Sequence, residues 1–409
     1  MESLARVGSE NILLSMLTDE MRADPYPLYE RWQSAAELYD SGLGVWFVLG
    51  HREASALLRR PDVVVDYRDS EPYRAFLTDG AEPPGFGDLP LLIRIDPPEH
   101  GRIRGLVRQA FTPRRVEGLR HRAAELVTAA LDRIEAAGEA DLVAELARPL
   151  PITIIADLLA VPRSDVGQLS AWSDWVVRTL DPLPLRGETL NEKINEAMGE
   201  LLEYLRALID ERRRSTGDDL VTALAAASHE GDRLSDDELL GVLLLLFVAG
   251  HANVTALIAC GTVALASRPA ELAALRTCDD AGARLAVDEL LRFDSPVQMT
   301  QRTTIEDVDV GGVTIPANQI VVLMVAAANR DPKVFERPRE LDLLRQPNPH
   351  LSFGGGIHHC LGALLTHVET EVAFPLLARR FSTIEVGDTV LRSTLVARSY
   401  ESLHVRVSP

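Results

Sequence analysis

The chain has 409 residues, 46% of them apolar, so it carries material for a large core, and length alone suggests about two or three domains. A formal charge of −19 leaves no broad basic surface for nucleic acid or for an anionic membrane. The basic side is almost entirely arginine, with lysine only at Lys193 and Lys333. Cysteine occurs at Cys260, Cys278 and Cys360, a scatter that gives neither a disulfide framework nor a Cys-x-x-Cys metal site and suits a reducing cytoplasm. The N-terminus has no charged-then-apolar signal pattern, and the apolar run Leu239 to Gly250 is shorter than the ~20 residues that span a bilayer. The expected protein is cytoplasmic, unanchored and monomeric.

Along the chain, the first 20–60 residues combine a helix after Asp24-Pro25-Tyr26-Pro27 with a strand-like piece, Val45 to Leu49. Residues 77–90 are rich in Gly and Pro and read as a loop. From Glu99 to about Arg292 the periodicity is helical, broken near Pro113, Gly138, Pro162, Gly187, Gly217 and Gly231. Ser235-Asp236-Asp237-Glu238 supplies a capping box before the most hydrophobic helix. Short strands follow at Gly312 to Pro316 and Gln319 to Leu323, then a glycine-rich loop, another helix, and strand-like residues to Pro409. No repeat or linker divides this pattern. It predicts a mainly α fold with a smaller β portion, one domain over 1–409.

The glycine-rich loop, Phe353-Gly354-Gly355-Gly356-Ile357-His358-His359-Cys360-Leu361-Gly362, carries the most chemistry. It sets Cys360 just before a helical segment, where the helix dipole and free amides favour a thiolate. Such a thiolate can ligate haem iron and push electron density toward O–O cleavage. On the residues alone, an inert thiol or a phosphate-cradling turn fits equally well. A cysteine hydrolase using His358 or His359 would further need an oxyanion hole and an oriented base that the sequence does not supply. The spacing Phe-Gly-x-Gly-x-His-x-Cys-x-Gly resembles the haem-binding signature of the cytochrome P450 family at every fixed position. That resemblance implies haem b (iron protoporphyrin IX) with Cys360 as metal ligand and Phe353, Gly354, His358 and Gly362 shaping its loop.

The likeness extends along nearly the whole chain and is closest to soluble bacterial members. Glu289-Leu290-Leu291-Arg292 is similar to the family's Glu-x-x-Arg helix, whose buried pair braces the cysteine loop; the arginine expected near Pro338 to Asp342 is displaced, Glu340 standing in its place and Arg339 one residue early. Asp96-Pro97-Pro98-Glu99-His100 with Arg104 resembles the family's propionate-binding segment, and Arg302 and His358 fall at further propionate-binding positions. Arg102, Arg108, Arg114 and Arg115 cluster on the helix that, in this family, faces an acidic ferredoxin or flavin domain. A ferredoxin or flavodoxin-type donor at the cysteine face, fed by NAD(P)H, is the implied partner.

The oxygen-side helix departs from the family pattern. Where Ala-Gly-x-(Asp or Glu)-Thr relays protons to dioxygen, this chain reads Ala249-Gly250-His251-Ala252-Asn253. Alanine carries no proton, and asparagine holds hydrogen bonds without titrating. His251 is expected to face away from the haem, and Thr255 to aim poorly. Either substrate and water complete the relay, or the reaction needs little proton delivery, as in oxidative ring closure or phenol-type coupling; direct use of peroxide is a third route. The resemblance places Leu245, Val248, Ala249, Val297, Met299, Leu395 and Val396 around an apolar substrate pocket, closed by the loop at 77–93 and by 165–200, with Trp172 and Trp175 near its roof. The implied function is a haem-thiolate monooxygenase or oxidase acting on a small or carrier-bound natural-product substrate. An inactive P450-like helper is the alternative, favoured only by the altered Ala252-Asn253 pair.

Overall fold

A computed structural model describes residues 12–68, 70–76, 87–181, 187–214, 217–229 and 231–409, so residues 77–86 of the Gly/Pro-rich stretch lie outside it. The principal helices are α1 (Tyr26–Ala35), α2 (Glu99–Ala110), α3 (Arg120–Ala137), α4 (Pro149–Leu158), α5 (Val166–Val176), α6 (Glu188–Arg213), α7 (Asp236–Ala266), α8 (Asp280–Phe293) and α9 (Ala363–Arg380). The strands that matter for the site are β1 (Leu38–Asp40), β2 (Val45–Val48), β3 (Val63–Val64), β4 (Thr300–Thr304), β5 (Ile320–Leu323), β6 (Thr383–Leu391) and β7 (Tyr400–Ser408). The first five form one sheet in the order β1-β2-β5-β4-β3, with β5 parallel to β2 and the other pairs antiparallel. β6 and β7 make a separate antiparallel hairpin edged by Glu139–Asp141.

The largest core surrounds α7. Its start is fixed as the sequence indicates: the Glu238 amide donates to Ser235 Oγ at 3.2 Å, and the Ser235 amide donates to Glu238 Oε2 at 2.8 Å. The helix then runs 31 residues, well past the apolar run visible in the sequence, and is long and apolar enough by composition to cross a membrane. It does not stand alone, however. It packs against α4, α6, α9 and further elements, as a helix apolar all round must in a folded core. Close approach depends on glycine: a Cβ at Gly261 would sit 2.5 Å from Phe374 Cζ of α9, and one at Gly250 3.1 Å from Ile155 of α4. Two smaller clusters lie about the five-stranded sheet, one built on Trp46, Val321 and Leu351 and the other on Trp32, Phe47 and Met324.

The brace forms, with a third partner that the displaced arginine left open in the sequence. Glu289 and Arg292 are both fully buried and bond twice, Nε to Oε2 at 2.7 Å and Nη2 to Oε1 at 2.8 Å. The third member is Arg345, whose Nε donates to both Glu289 oxygens at 3.1 Å. Arg339 instead reaches Glu30 at the surface, and Glu340 contributes only its carbonyl, which accepts from Arg292 at 3.0 Å. Arg292 also donates to the carbonyl of Asn329 at 3.0 Å. Asn329 in turn accepts from the Leu351 amide at 2.7 Å and donates to Ser352 Oγ at 2.8 Å. The chain entering the cysteine loop is therefore pinned to α8.

Candidate active site

The loop from Phe353 to Gly362 turns back sharply. Gly354 and Gly356 take φ of 69° and 63°, and a Cβ at Gly356 would lie 2.3 Å from the Leu58 carbonyl oxygen. Only glycine fits there. The Cys360 amide donates to the Phe353 carbonyl at 2.8 Å, which closes the loop just before α9. The Cys360 side chain is accessible, yet protein crowds it: burial raises its thiol pKa, while the Gly362 and Ala363 amides and the Arg104 guanidinium pull it down. Those last three stabilise the thiolate that metal ligation requires.

Beside the loop, α2 brings His100 next to His358, ring centroids 4.2 Å apart. Nε2 of each ring is buried without a hydrogen-bond partner among the described residues; the nearest acceptor to His358 Nε2, Asp96 Oδ1, is 3.7 Å away. Burial, with the nearby His358 and Arg104, lowers the His100 pKa to about 4. Arg302 sits on β4 opposite Val321 of β5; it is 6% exposed, and burial lowers its guanidinium to about 10 despite the pull of Asp96. Arg104 reaches across to the His359 carbonyl at 2.5 Å. Two orphaned imidazole nitrogens and a buried, under-compensated guanidinium are what a dianionic group would satisfy. This set, with an accessible thiol held by amides, fits haem.

On α7, Ala249 is exposed in the middle of a helix that is otherwise largely buried, because a cavity opens there. Leu245, Val248, Ala249, Ala252, Asn253 and Val396 all line it. The other expected pocket residues lie elsewhere. Leu395 lines a neighbouring cleft, Met299 packs in the core about Trp32, and Val297 forms a bridge with Ala397. Trp172 packs against Tyr204 and its indole N–H donates to Glu200, while Trp175 is exposed beneath Lys193. Neither lines the cavity. The opposite edge of α5 does, through Ser173 and Asp174, with Val177 of the turn after it, and brings polar groups into a wall expected to be apolar.

Two further residues depart from expectation. His251 lines the cavity, although its nitrogens are committed elsewhere: Nδ1 donates to the Phe247 carbonyl at 2.8 Å, so Nε2 must accept from the Ser173 hydroxyl at 3.2 Å. Burial lowers its pKa to about 4, and it stays neutral near pH 7. Thr255 also lines the cavity, and its buried hydroxyl has no partner among the described residues. Its spacing two positions past Asn253 leads to the expectation that it aims poorly, because helical periodicity alone does not locate the cavity.

A family model described as Cytochrome P450 matches residues 283–395. The cytochrome P450 monooxygenase PikC of Streptomyces venezuelae is 38% identical over 405 residues, 96% of this chain and 93% of that one. The chain belongs to the cytochrome P450 family. It is therefore a haem-binding oxidoreductase, a monooxygenase of the bacterial P450 type, and P450 enzymes as a family use redox partners. The polyketide biosynthesis cytochrome P450 PksS of Bacillus subtilis is 39% identical over 322 residues, 78% of each chain. Among solved structures, P450BioI in complex with an acyl carrier protein bearing hexadec-9Z-enoic acid matches with a TM-score of 0.86 and 30% identity, covering 95% of this P450 and 99% of that chain.

Proposed function

We propose that this P450 carries out a specialised oxidation in natural-product biosynthesis, either hydroxylation or oxidative ring closure or coupling, on a small or carrier-bound molecule held in the cavity beside Ala249. The observation that carries this reading is Cys360 at the N-terminus of α9, flanked by the unpartnered His100 and His358 and by buried Arg302. Cys360 would hold the iron, and His100, Arg104, Arg302 and His358 the propionates; Phe353, Gly354 and Gly362 shape the loop. The bound haem supplies the oxygen-activating chemistry.

The residues of this chain divide the remaining work. Leu245, Val248 and Ala249 exclude water and seat the substrate. Ala252 and Asn253 stand where an acid and an alcohol would deliver protons; Asn253 and the Thr255 hydroxyl can hold a water but supply no acid. A substrate group that completes the relay, or a reaction that needs little proton delivery, accommodates this. Electrons come from NAD(P)H through a ferredoxin or flavodoxin-type protein at the cysteine face. Arg108 and Arg114 remain exposed there without an ion pair among the described residues, whereas Arg102 is taken up by Glu238 and Asp232, and Arg115 by Asp218. The carrier-bound form is supported by the acyl-carrier complex of P450BioI.

The test is the difference spectrum of reduced protein with and without carbon monoxide. A red-shifted, thiolate-type Soret band is expected. A folded protein that takes up no haem, or that shows a histidine or protonated-thiol band, would overturn the assignment and favour a helper role.

A further inference from the structure

The wall of the cavity made by the residue before α4, by α5 and the turn after it, and by the 392–399 connection between β6 and β7 is charged. Arg148, Asp174, Arg178 and Arg392 all line it. Asp174 is shared: Arg392 Nη2 donates to its Oδ1 at 2.7 Å, and Arg148 Nη1 lies 3.5 Å from its Oδ2. Arg178 is fixed by a different carboxylate. Its Nε donates to Asp181 Oδ2 at 2.8 Å, and Asp181 Oδ1 is held by the Thr394 hydroxyl at 2.7 Å and the Leu395 amide at 3.1 Å. Asp181 is only 6% exposed and fully engaged. The terminal nitrogens of Arg178 have no hydrogen-bond partner among the described residues.

If these pairs served only to clasp α5 to the 392–399 connection, each guanidinium would need its own carboxylate. Among the described residues, three guanidiniums face two carboxylates, and His251, the remaining titratable group of that wall, is neutral near pH 7. One positive charge is left over on the described part of the cavity wall, in a chain whose formal charge is −19. A cavity wall concentrates such a field, and a guanidinium whose Nε edge is anchored presents its other donors ready-made to a carboxylate.

We propose that the substrate carries a carboxylate, or a similarly compact anion, that docks on Arg178 with Arg148 and Arg392, and that Asp174 tempers the affinity by neutralising part of that charge. This rests on the cavity being the substrate pocket over the haem. The probe is a pair of ligand series of graded chain length, ω-(imidazol-1-yl)alkanoic acids and the matching ω-(imidazol-1-yl)alkanols. The imidazole anchors at the iron, and the far end samples the wall. Soret titrations of the haem-loaded protein read both affinities. At the chain lengths that span the gap, the acid should bind about tenfold more tightly than the alcohol, the effect of one charge-assisted hydrogen bond. Arg178→Gln should abolish that ratio and Asp174→Asn should raise it, so the two substitutions move it in opposite directions, and either alone decides if the other fails to fold. Acids no tighter than alcohols at every length, or a ratio indifferent to both substitutions, overturns the proposal. Failure of the underlying reading looks different: neither series would shift the Soret band of a protein that holds haem.

Discussion

His100 and His358 come from segments far apart in sequence, yet their rings lie 4.2 Å apart, tilted 49° to one another, with both Nε2 atoms buried and unpartnered. Two buried imidazole nitrogens with no acceptor in hydrogen-bond range, Asp96 standing 3.7 Å from that of His358, are unfavourable by themselves, since a buried polar atom left unpaired costs about 1–3 kcal/mol. Both nitrogens can donate to an anion. Replacing both with Phe keeps the ring volume and removes the donors. Haem transfer to excess apomyoglobin should then accelerate by about tenfold or more, as the loss of hydrogen bonds to a charged group predicts. An unchanged transfer rate would detach this pair from the propionates.

The brace behind the cysteine loop makes a sharper contrast. Arg345→Ala leaves Glu289 buried with a lost partner, which should cost about 3–5 kcal/mol and lower haem incorporation during expression. Arg339→Ala, at the exposed pair with Glu30, should change stability by no more than about 0.5 kcal/mol. Chemical denaturation of the two variants checks this; equal effects would refute the assignment of Arg345.

Acid should weaken the fold through His251. Its folded pKa of about 4 lies below the ordinary 6.5, so the unfolded chain binds the extra proton between those values. The stability it contributes is complete above pH 6.5 and falls away toward pH 4, at roughly 1.4 kcal/mol per pH unit. The double variant His251→Leu with Ser173→Ala removes the imidazole without stranding the hydroxyl that faces it. Its unfolding free energy, followed from pH 7 to 4, should have a shallower slope than that of the parent.

Asn253 tests how protons arrive. If substrate and water complete the relay, Asn253→Thr should leave product formed per electron consumed within about twofold, a difference below 1 kcal/mol in barrier. Simultaneous measurement of NAD(P)H oxidation and product decides it. A large gain in coupling would mean that the native relay is deficient.

The sequence alone determined what local chemistry dictates. The capping box at Ser235, the glycine-dependent turn into Cys360, the pairing of Glu289 with Arg292 and the mainly helical fold all follow from residue type and short spacing, and the P450 resemblance rests on such motifs. Tertiary structure decided whatever depends on which face of one element meets another. Arg345 rather than Arg339 completes the brace because the backbone after Glu340 folds back over Glu289, an arrangement no spacing rule specifies. The edge of α5 carrying Ser173 and Asp174, not Trp172 and Trp175, lines the cavity because α5 rotates its tryptophans toward α6. The shared carboxylate of Asp174 shows the reason most plainly. Its two arginines stand at positions 148 and 392. Charges so distant along a chain acquire a common site only when packing fixes the backbone that carries them.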